Sequence, residues 1–353
     1  MTKLEKIRSA FPENADALLL TSDINCYYVT GFRRMEGYVV ITREAAMAFT
    51  DSRYIEAARA EVSSEFEVLL SKGSRKKMLT EVFEKYNIKT LLIEKSVTTV
   101  TSYESMKSDF PDIEILGGDS IISKLREYKS EDELDNVTKA QAIAEAAYDH
   151  ILGYISPDRT EIDVALELEF YMRSHGAQAA SFDIIAVSGS ASSQPHGVPR
   201  DIKLQQGFLT MDFGALYNGY CSDMTRTVCI GKADDEMKKV YSTVLEAQLA
   251  ALDKIAVGEK CADIDKCARD IIKAAGYGEN FGHSLGHGVG LEIHENPRLS
   301  SVSQSVLTPG QIVTVEPGIY LEGRFGVRIE DMVFIGEDKC ENLTHVPKEL
   351  IEL

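Results

Sequence analysis

Two strand-like runs flank an Asn218-Gly219 pair and each carries an aspartate, a combination that strongly constrains how the chain can fold. Asn-Gly between two such runs is a strong signal for a β-hairpin with a two-residue turn. Strands that face a core are built from apolar residues, so Asp212 before the turn and Asp223 after it both need partners. The predicted hairpin therefore has to satisfy two carboxylates.

The turn also sets the register of this hairpin. A two-residue turn pairs Tyr217 with Tyr220, and it places Asp212 opposite Thr225. Asp223 is then a diagonal neighbour of Asp212 on the same face, since side chains alternate with period two. Two carboxylates held together in a sheet repel each other unless a cation or a proton lies between them. The sequence therefore predicts a metal ion at this hairpin.

A second acidic pair follows the same logic nearer the end of the chain. Residues 312–318 and 327–331 are strand-like and contain Glu316 and Glu330. A turn centred near Gly323 places these two glutamates across from each other. A single acidic residue in a strand is usually an edge or turn residue, so it is the occurrence of two such pairs that favours a functional site.

A glycine-rich segment between the two acidic pairs holds three of the seven histidines within twelve residues, at His283, His287 and His294. A solvated loop is the alternative for the histidines, and backbone turns are the alternative for the glycines. Unpaired buried carboxylates are costly, so a site shared by the histidines and the four carboxylates is favoured over these separate explanations.

The length of the chain predicts two domains, because single hydrophobic cores stop growing near roughly 250–300 residues and this chain has 353. With 44% hydrophobic and 27% charged residues, the composition is that of an ordinary folded protein. We expect an N-terminal domain over residues 1–122 and a second domain over residues 123–353. A hinge-like segment after Gly117-Gly118 is expected to connect them.

The fold class predicted from the periodicity is α+β, with an α/β domain first. In that domain the pattern predicts strands at 17–20, 38–42, 47–50, 66–70 and 90–94, and helices at 1–14, 55–61 and 75–87. In the second domain, a capping box of Ser130 and Glu133 opens a helix that runs to about residue 154. Further helices are predicted from Thr160 to Gly176 and over 234–255 and 262–275, with strands within 207–230 and 312–335.

The net charge of −18 is unevenly distributed, with −3 in residues 1–122 and −15 in residues 123–353. A strongly acidic surface repels phosphate backbones, so we expect no nucleic-acid partner. No apolar run approaches the roughly 18–20 residues that a membrane crossing needs, and the charged first 14 residues do not resemble a signal peptide. Six cysteines without a C-x-x-C pair are expected to be free thiols. A cytoplasmic protein with no membrane partner is the expectation.

Five motifs together resemble those of the pita-bread metallopeptidases, the family of methionine aminopeptidase, aminopeptidase P and prolidase, with creatinase as a non-peptidase relative. The motifs are Met211-Asp212-Phe213-Gly214, Ser222-Asp223-Met224-Thr225-Arg226-Thr227, Gly286-His287-Gly288-Val289-Gly290, Val315-Glu316-Pro317-Gly318 and Arg328-Ile329-Glu330-Asp331. The resemblance implies a C-terminal pita-bread domain over residues 123–353. Residues 1–122 resemble the additional domain of the prolidase and aminopeptidase P branch, which methionine aminopeptidases usually lack.

The resemblance implies a site with two divalent metal ions per chain and a hydroxide between them. The implied ligands are Asp212, Asp223, His287, Glu316 and Glu330. Four carboxylates carry −4 and two divalent ions carry +4, so the site is neutral as a whole. Because four carboxylates and one imidazole form a hard ligand set, manganese or cobalt is favoured, with zinc or iron possible.

Four side chains have catalytic roles by the same resemblance. Glu316 also passes a proton from water towards the leaving nitrogen. His283 and His294 hold the scissile carbonyl and stabilise the tetrahedral intermediate. His196 lies near the leaving side of the substrate, although a turn residue without function is the alternative for it.

Further residues are expected to support the site or bind substrate. Arg328 precedes Glu330 by two positions and should project from the same strand face, where we expect it to pair with Asp212 or Tyr320. Arg298 is a candidate for binding the free carboxylate of a dipeptide, with a solvated surface position as the alternative. Tyr217, beside the predicted turn, is a further candidate substrate contact.

The function implied by the resemblance is hydrolysis of the Xaa-Pro bond at the N-terminus of small peptides with proline second. An Xaa-Pro dipeptidase that acts on dipeptides only is the alternative within this branch. Two further hypotheses are a creatinase-like amidinohydrolase and a non-catalytic pita-bread binding module, although such proteins do not need the five ligands. A homodimer is expected by resemblance.

Overall fold

The chain divides into two units, Met1–Arg126 and Glu127–Leu353, in a computed structural model that describes residues 1–33 and 35–353. In the first unit, apolar runs form a mixed sheet in the order β4-β3-β2-β1-β5-β6. Its strands are β1 Ala17–Leu20, β2 Gly37–Thr42, β3 Ala46–Thr50, β4 Glu67–Leu70, β5 Thr90–Ile93 and β6 Glu114–Gly117. The central strand β1 is buried along its whole length, as its four apolar residues require.

Helices separate the strands of this unit, except that β3 follows β2 directly. They are α1 Lys3–Ser9, α2 Asp23–Thr30, α3 Ile55–Glu61, α4 Arg75–Lys85, α5 Val100–Asp109 and α6 Asp119–Arg126. The prediction of a hinge-like segment after Gly117-Gly118 is wrong, because these two residues lead directly into α6. Ile121 and Ile122 are buried there, and this burial stabilises a helix where the sequence suggested only a connection.

The second unit, described throughout, has four α-helices, of which the first three begin at side-chain caps and the last begins after Lys260 without one. They are α7 Glu131–Tyr154, α8 Glu161–Ser174, α9 Asp235–Lys254 and α10 Cys261–Ala274. The capping box of Ser130 and Glu133 is confirmed, and Thr160 and Asp234 cap α8 and α9 through their side chains. Among the described residues, no helix combines the length and apolar character that a bilayer crossing requires.

The strands of the second unit form short antiparallel sheets. They are β7 Ala179–Ala180, β8 Ile185–Ser188, β9 Gly207–Phe213, β10 Ala215–Tyr217, β11 Tyr220–Cys221, β12 Met224–Ile230, β13 Gly286–Gly288, β14 Glu295–Leu299, β15 Ile312–Val315, β16 Gly318–Leu321, β17 Phe325–Arg328, β18 Asp331–Ile335 and β19 Cys340–Asn342. The sheet orders are β12-β9-β8, β11-β10-β7, β14-β13-β15-β18-β19 and β16-β17. Helices and strands together confirm the α+β class.

One arrangement occurs twice in this unit: two helices followed by strands that pack against them. Helices α7 and α8 share a hydrophobic core with β9 and β12. Helices α9 and α10 share another core with β15, β17 and β18. In β9, for example, Leu209, Met211 and Phe213 face α7 and α8, so Thr210 and Asp212 face the other way.

The predicted register of the first hairpin is confirmed. Tyr217 pairs with Tyr220, and Asp212 lies opposite Thr225. The side chains of Asp212 and Asp223 therefore lie on the same face of the hairpin.

The second hairpin has the predicted geometry as well. Gly318 pairs with Arg328 and Val315 pairs with Asp331, and both pairs keep one register. The residues between them, Glu316 and Glu330, consequently lie across from each other.

Helix α8 has exposed apolar residues as well as buried ones. Ile162, Leu166 and Phe170 are exposed, whereas Val164 and Leu168 are buried. Helix α8 therefore has apolar residues on two faces, of which only one packs against the unit's own core.

Gly214, between β9 and β10, should tolerate no side chain. A Cβ atom there would lie 1.8 Å from the Ser222 carbonyl oxygen. We expect Gly214→Ala to lower the free energy of unfolding by about 1–3 kcal/mol, the usual cost of overpacking. Gly153 in α7 has no atom within 4 Å of its Cβ position, so Gly153→Ala should raise it by about 0.5–1 kcal/mol.

Denaturant unfolding of both variants at one fixed metal concentration checks this pair. Equal stability of the two alanine variants would show that the fold does not need the close approach of Gly214 to Ser222.

Candidate metal centre

A cavity of about 610 Å³ in the second unit brings the predicted ligand residues together. Its lining includes all five of them: Asp212, Asp223, His287, Glu316 and Glu330. It also includes the predicted catalytic and supporting residues His196, His283, His294, Arg298 and Arg328. Tyr320 is hydrogen-bonded through its hydroxyl to two of these residues, His283 and Arg328. Tyr217 is not part of the described lining.

The four acidic residues lie at or next to the ends of strands. Asp212 lies near the end of β9, and Asp223 immediately precedes β12. Glu316 directly follows β15, and Glu330 lies between β17 and β18. The two hairpins thus each contribute two carboxylates to one place.

His287 is placed at the floor of the cavity by the strand β13, which has glycine on both sides of it. A Cβ atom at Gly286 would lie 1.9 Å from the Thr314 carbonyl oxygen, and one at Gly288 would lie 2.2 Å from that of Asn296. Only glycine permits these approaches to the neighbouring strands. The Gly-His-Gly sequence is therefore required for the position of His287.

Three of these side chains already lie at the spacing of a metal site. Asp223, His287 and Glu330 each offer a ligand atom, and these atoms lie within 4.8 Å of one another. The His287 Nε2 atom is 3.6 Å from Asp223 Oδ2 and 3.3 Å from Glu316 Oε1. Its Nδ1 atom lies 3.1 Å from the Gly288 carbonyl oxygen, which can only accept, so Nδ1 carries the proton. Nε2 is therefore left with the lone pair that a metal ligand needs.

Burial sets the protonation of the carboxylates. Loss of hydration raises the pKa of Asp212, Asp223 and Glu330, and the charges of the neighbouring carboxylates raise them further. Burial also acts to raise the pKa of Glu316, but the neighbouring His287, His283 and Arg328 together outweigh it and lower that pKa below its usual range. The cluster is thus electrostatically strained when it contains protein atoms alone.

Arg328 and Thr225 each occupy one oxygen of a carboxylate and leave the other free. Arg328 Nη2 donates to Asp212 Oδ2 at 2.7 Å, and Thr225 Oγ1 donates to Glu330 Oε2 at 2.7 Å. The remaining oxygens, Asp212 Oδ1 and Glu330 Oε1, are buried and have no hydrogen-bond partner within the described parts of the chain. Unpartnered buried acceptors beside repelling carboxylates are a donor set that fits divalent cations.

The predicted pairing of Arg328 is confirmed for both partners. Besides Asp212, it donates from Nη1 to the Tyr320 hydroxyl at 2.8 Å, and from Nε to Thr225 Oγ1 at 3.0 Å. The sequence did not identify Thr225 as a supporting residue. The signal was available, because the predicted register already placed Thr225 opposite Asp212.

His283 is held by protein atoms at both ring nitrogens. Its Nδ1 atom is 2.8 Å from the Ser284 carbonyl oxygen and therefore donates. Its Nε2 atom is 2.9 Å from the Tyr320 hydroxyl and, in the neutral ring, accepts from it. Burial lowers the pKa of His283, which favours this neutral form. A chain of hydrogen bonds therefore runs from Arg328 through Tyr320 to His283.

His294 and His196 are more open to the cavity than His283, and both are exposed. The His294 ring meets that of His287 edge-on, with centroids 4.4 Å apart. Loss of hydration lowers the pKa of His294 to about 4, with further contributions from His287 and Arg298. His294 is therefore neutral at pH 7 and keeps one N–H to donate.

The remaining substrate candidates are divided by the structure. Arg298 is exposed, lines the cavity and pairs with His287 across the β13–β14 register. Tyr217 instead packs against the hydrophobic core of α7 and α8, with the Lys139 ammonium 6.0 Å from its ring centroid. Its position beside the hairpin turn directs it to that core, so its proposed substrate contact gains no support.

Apolar side chains that the sequence did not single out form another part of the cavity wall. They are Phe182, Ile184, Ile185, Val198 and Ile293. No motif marks them, because single apolar residues carry no signal of a cavity wall until the fold is known.

Comparison with known proteins places both units in described families. Residues 135–337 match the model of metallopeptidase family M24, and residues 3–128 match the creatinase/prolidase N-terminal domain. These matches confirm the resemblance to the pita-bread metallopeptidases and the two-part α+β fold.

Relatives resemble the chain over almost its full length. An Xaa-Pro dipeptidase of Pyrococcus furiosus is 37% identical over 99% of both chains. The structure of an Xaa-Pro dipeptidase from Bacillus anthracis superposes with a TM-score of 0.96 at 43% identity, covering 99% of both chains. The structure of an X-Pro aminopeptidase from Thermotoga maritima superposes with a TM-score of 0.90 at 38% identity, covering 96% of this chain and 98% of that one. The chain therefore belongs to metallopeptidase family M24 and carries the creatinase/prolidase N-terminal domain.

Proposed function

We propose that the chain is a metal-dependent peptidase that hydrolyses the Xaa-Pro bond at the N-terminus of small peptides. The observation that carries this proposal is the meeting of four carboxylates and one imidazole in a cavity, where Asp212 and Glu330 each have a buried oxygen without a hydrogen-bond partner among the described residues. The names of the relatives support the substrate class, since they include both Xaa-Pro dipeptidases and an X-Pro aminopeptidase.

Two divalent ions fit the charge of this donor set. The proposed ligands are Asp212, Asp223, His287, Glu316 and Glu330, whose four carboxylates balance two divalent charges. The prevalence of oxygen donors favours manganese or cobalt over zinc or iron. When bound, such ions polarise a carbonyl and lower the pKa of water, which addresses the two weaknesses of amide hydrolysis at neutral pH.

Glu316 is proposed as the general base and acid. Its lowered pKa keeps it ionised at neutral pH, so it can accept a proton from water and then pass it to the leaving nitrogen. His294, neutral and exposed in the cavity, is proposed to donate its N–H to the scissile carbonyl oxygen. His196 is proposed to act near the leaving side. His283 is proposed to support the carbonyl region through its hydrogen bond with Tyr320.

The apolar wall is proposed to receive the proline ring. Phe182, Ile184 and Ile293 provide apolar surface in the same cavity as the acidic floor. A small apolar ring bound there removes apolar area from water, which favours proline over a polar residue at that position.

The preference for dipeptides or longer peptides is proposed to depend on Arg298. Its guanidinium is exposed at the cavity, where it can bind the free carboxylate of a dipeptide through two hydrogen bonds. A longer peptide places its carboxylate elsewhere and gains nothing from this arginine.

We also propose a cytoplasmic location and a homodimer. Six free cysteines, four of them buried, suit a reducing compartment. The dimer rests on family resemblance, and light scattering coupled to size-exclusion chromatography tests it.

Activity should depend on metal and on proline. Protein treated with a chelator should not hydrolyse Ala-Pro or Ala-Pro-Ala, and added manganese or cobalt should restore hydrolysis of at least one of them. Ala-Ala is the matched control and should be cleaved far more slowly. Turnover that persists in a strong chelator would refute the metal-dependent mechanism, and equal cleavage of Ala-Ala would refute the specificity.

Asp223→Asn should reduce bound metal while leaving the fold intact, because an amide lacks the charge that balances the cation. Atomic emission on dialysed protein measures the metal content, and circular dichroism checks the fold. Asp158→Asn is the control, because Asp158 is 89% exposed and pairs with Lys203 away from the cavity. Full metal content in Asp223→Asn would contradict the ligand assignment.

Arg298→Gln should raise the KM for Ala-Pro by about 10- to 100-fold, the cost of losing hydrogen bonds to a charged group. The KM for Ala-Pro amide, which lacks the carboxylate, should not change. Arg324→Gln is the control, because Arg324 pairs with Glu236 on the surface. An unchanged KM for Ala-Pro would identify Arg298 as a solvated surface residue.

A further inference from the structure

The three cavity histidines outside the ligand set lie on irregular segments rather than on strands. His196 lies between β8 and β9, His283 lies before β13, and His294 immediately precedes β14. Irregular segments have no ladder of hydrogen bonds to fix them. Each of these three segments is instead held by a buried carboxylate that also pairs with a cation.

Glu161 holds the segment with His196. Its side chain is fully buried at the start of α8 and accepts from the backbone N–H of Ser188 at 2.7 Å and of Arg200 at 2.9 Å. It also accepts from the Ser188 hydroxyl at 2.8 Å, and from Arg200 Nε at 2.8 Å and Nη2 at 2.6 Å. Ser188 and Arg200 are the two ends of the segment, so one carboxylate closes the loop that carries His196.

Asp265 holds the segment with His283. Its side chain is fully buried in α10, accepts from the Leu285 backbone N–H at 3.1 Å and pairs with Arg269 at 2.8 Å. Arg269 in turn donates to the carbonyl oxygens of Phe281 and His283, both at 2.9 Å. The pair therefore fixes the backbone on both sides of the His283 ring.

Glu295 holds the segment with His294. Its side chain is 6% exposed and pairs at 3.1 Å with Lys129, which is 2% exposed. The Glu295 carboxylate packs against Gly290, where a Cβ atom would lie 2.6 Å from Oε2, and Oε1 accepts from the Glu292 N–H at 3.2 Å. The carboxylate thus folds the segment 290–295 back on itself next to His294.

We propose that Glu161, Asp265 and Glu295 are positioning residues, one for each of the three cavity histidines. A buried carboxylate keeps its hydrogen-bond donors, because a conformation that removes them leaves an unpaired charge in the protein interior, which strongly destabilises the fold. Each carboxylate therefore keeps its segment in one conformation and its histidine at one place in the cavity. A misplacement of about 1 Å is enough to slow an enzyme roughly 10²-fold. This inference rests on the proposed function only for its kinetic readout.

A matrix of double variants tests the assignment. The three single variants are Glu161→Gln, Asp265→Asn and Glu295→Gln. Each keeps the size of the side chain but places an NH₂ group or a neutral oxygen where hydrogen-bond donors converge on the carboxylate. Each should lower kcat by about 10- to 100-fold. Each is combined with His196→Ala, His283→Ala and His294→Ala. A matched double variant should be no slower than its histidine variant alone, because the positioned group is already absent. Mismatched combinations should multiply their effects.

Hydrogen exchange measured by mass spectrometry provides a readout that does not need activity. Glu161→Gln should speed exchange within residues 189–199, Asp265→Asn within 281–285 and Glu295→Gln within 290–294, each without changing the other two segments. Glu259→Gln, which breaks a partly exposed pair with Lys254, is the matched control and should change none of them. Metal content, measured in parallel, should stay at the wild-type value in all four variants.

If a carboxylate variant does not fold, its cation partner is substituted instead, as Arg200→Met, Arg269→Met or Lys129→Met. The conservative variants Arg200→Lys, Arg269→Lys and Lys129→Arg should restore the wild-type behaviour. Multiplicative effects in the matched pairs, or exchange that rises equally in all three segments, would overturn the proposal. An inactive wild-type protein with the segment-specific exchange pattern would instead refute the proposed function and leave the positioning inference standing.

Discussion

The second unit depends on one electrostatic constraint: four carboxylates and an imidazole meet with little access to water. Their mutual repulsion and lost hydration raise the pKa of Asp212, Asp223 and Glu330. Arg328 supplies one positive charge from behind, and it cannot neutralise four negative charges. The four carboxylates can all be ionised in the folded protein only when additional cations balance their charge. The same cations would supply the chemistry proposed for the site.

The fold meets this constraint by repeating a simple unit. Each pair of helices covers one side of its strands, so the opposite face is free to carry acidic residues at strand ends. Glycines let the strands approach closely, most clearly around His287 and at Gly214. The other three histidines of the cavity, His196, His283 and His294, lie on segments outside these strands, where buried ion pairs take over the role that ladder hydrogen bonds have within a sheet.

Much of the site could be predicted because it depends on local pattern. The Asn218-Gly219 turn and the period of two defined which residues face each other, and the position of Arg328 followed from the same rule. Features that depend on distant contacts could not be predicted. Lys129 and Glu295 are 166 positions apart, and nothing local marks them as partners. Tyr217 pairs with Tyr220 as its register predicts, but its ring packs against the core of α7 and α8, a distant contact that no local pattern marks.

Anomalous scattering from a crystal of the manganese-loaded protein tests the central claim most directly. We expect two manganese peaks in the cavity, whose protein ligands, divided or shared between the two ions, are the side chains of Asp212, Asp223, His287, Glu316 and Glu330 and no others. A cavity without manganese, or manganese bound there by a different set of side chains, would contradict it.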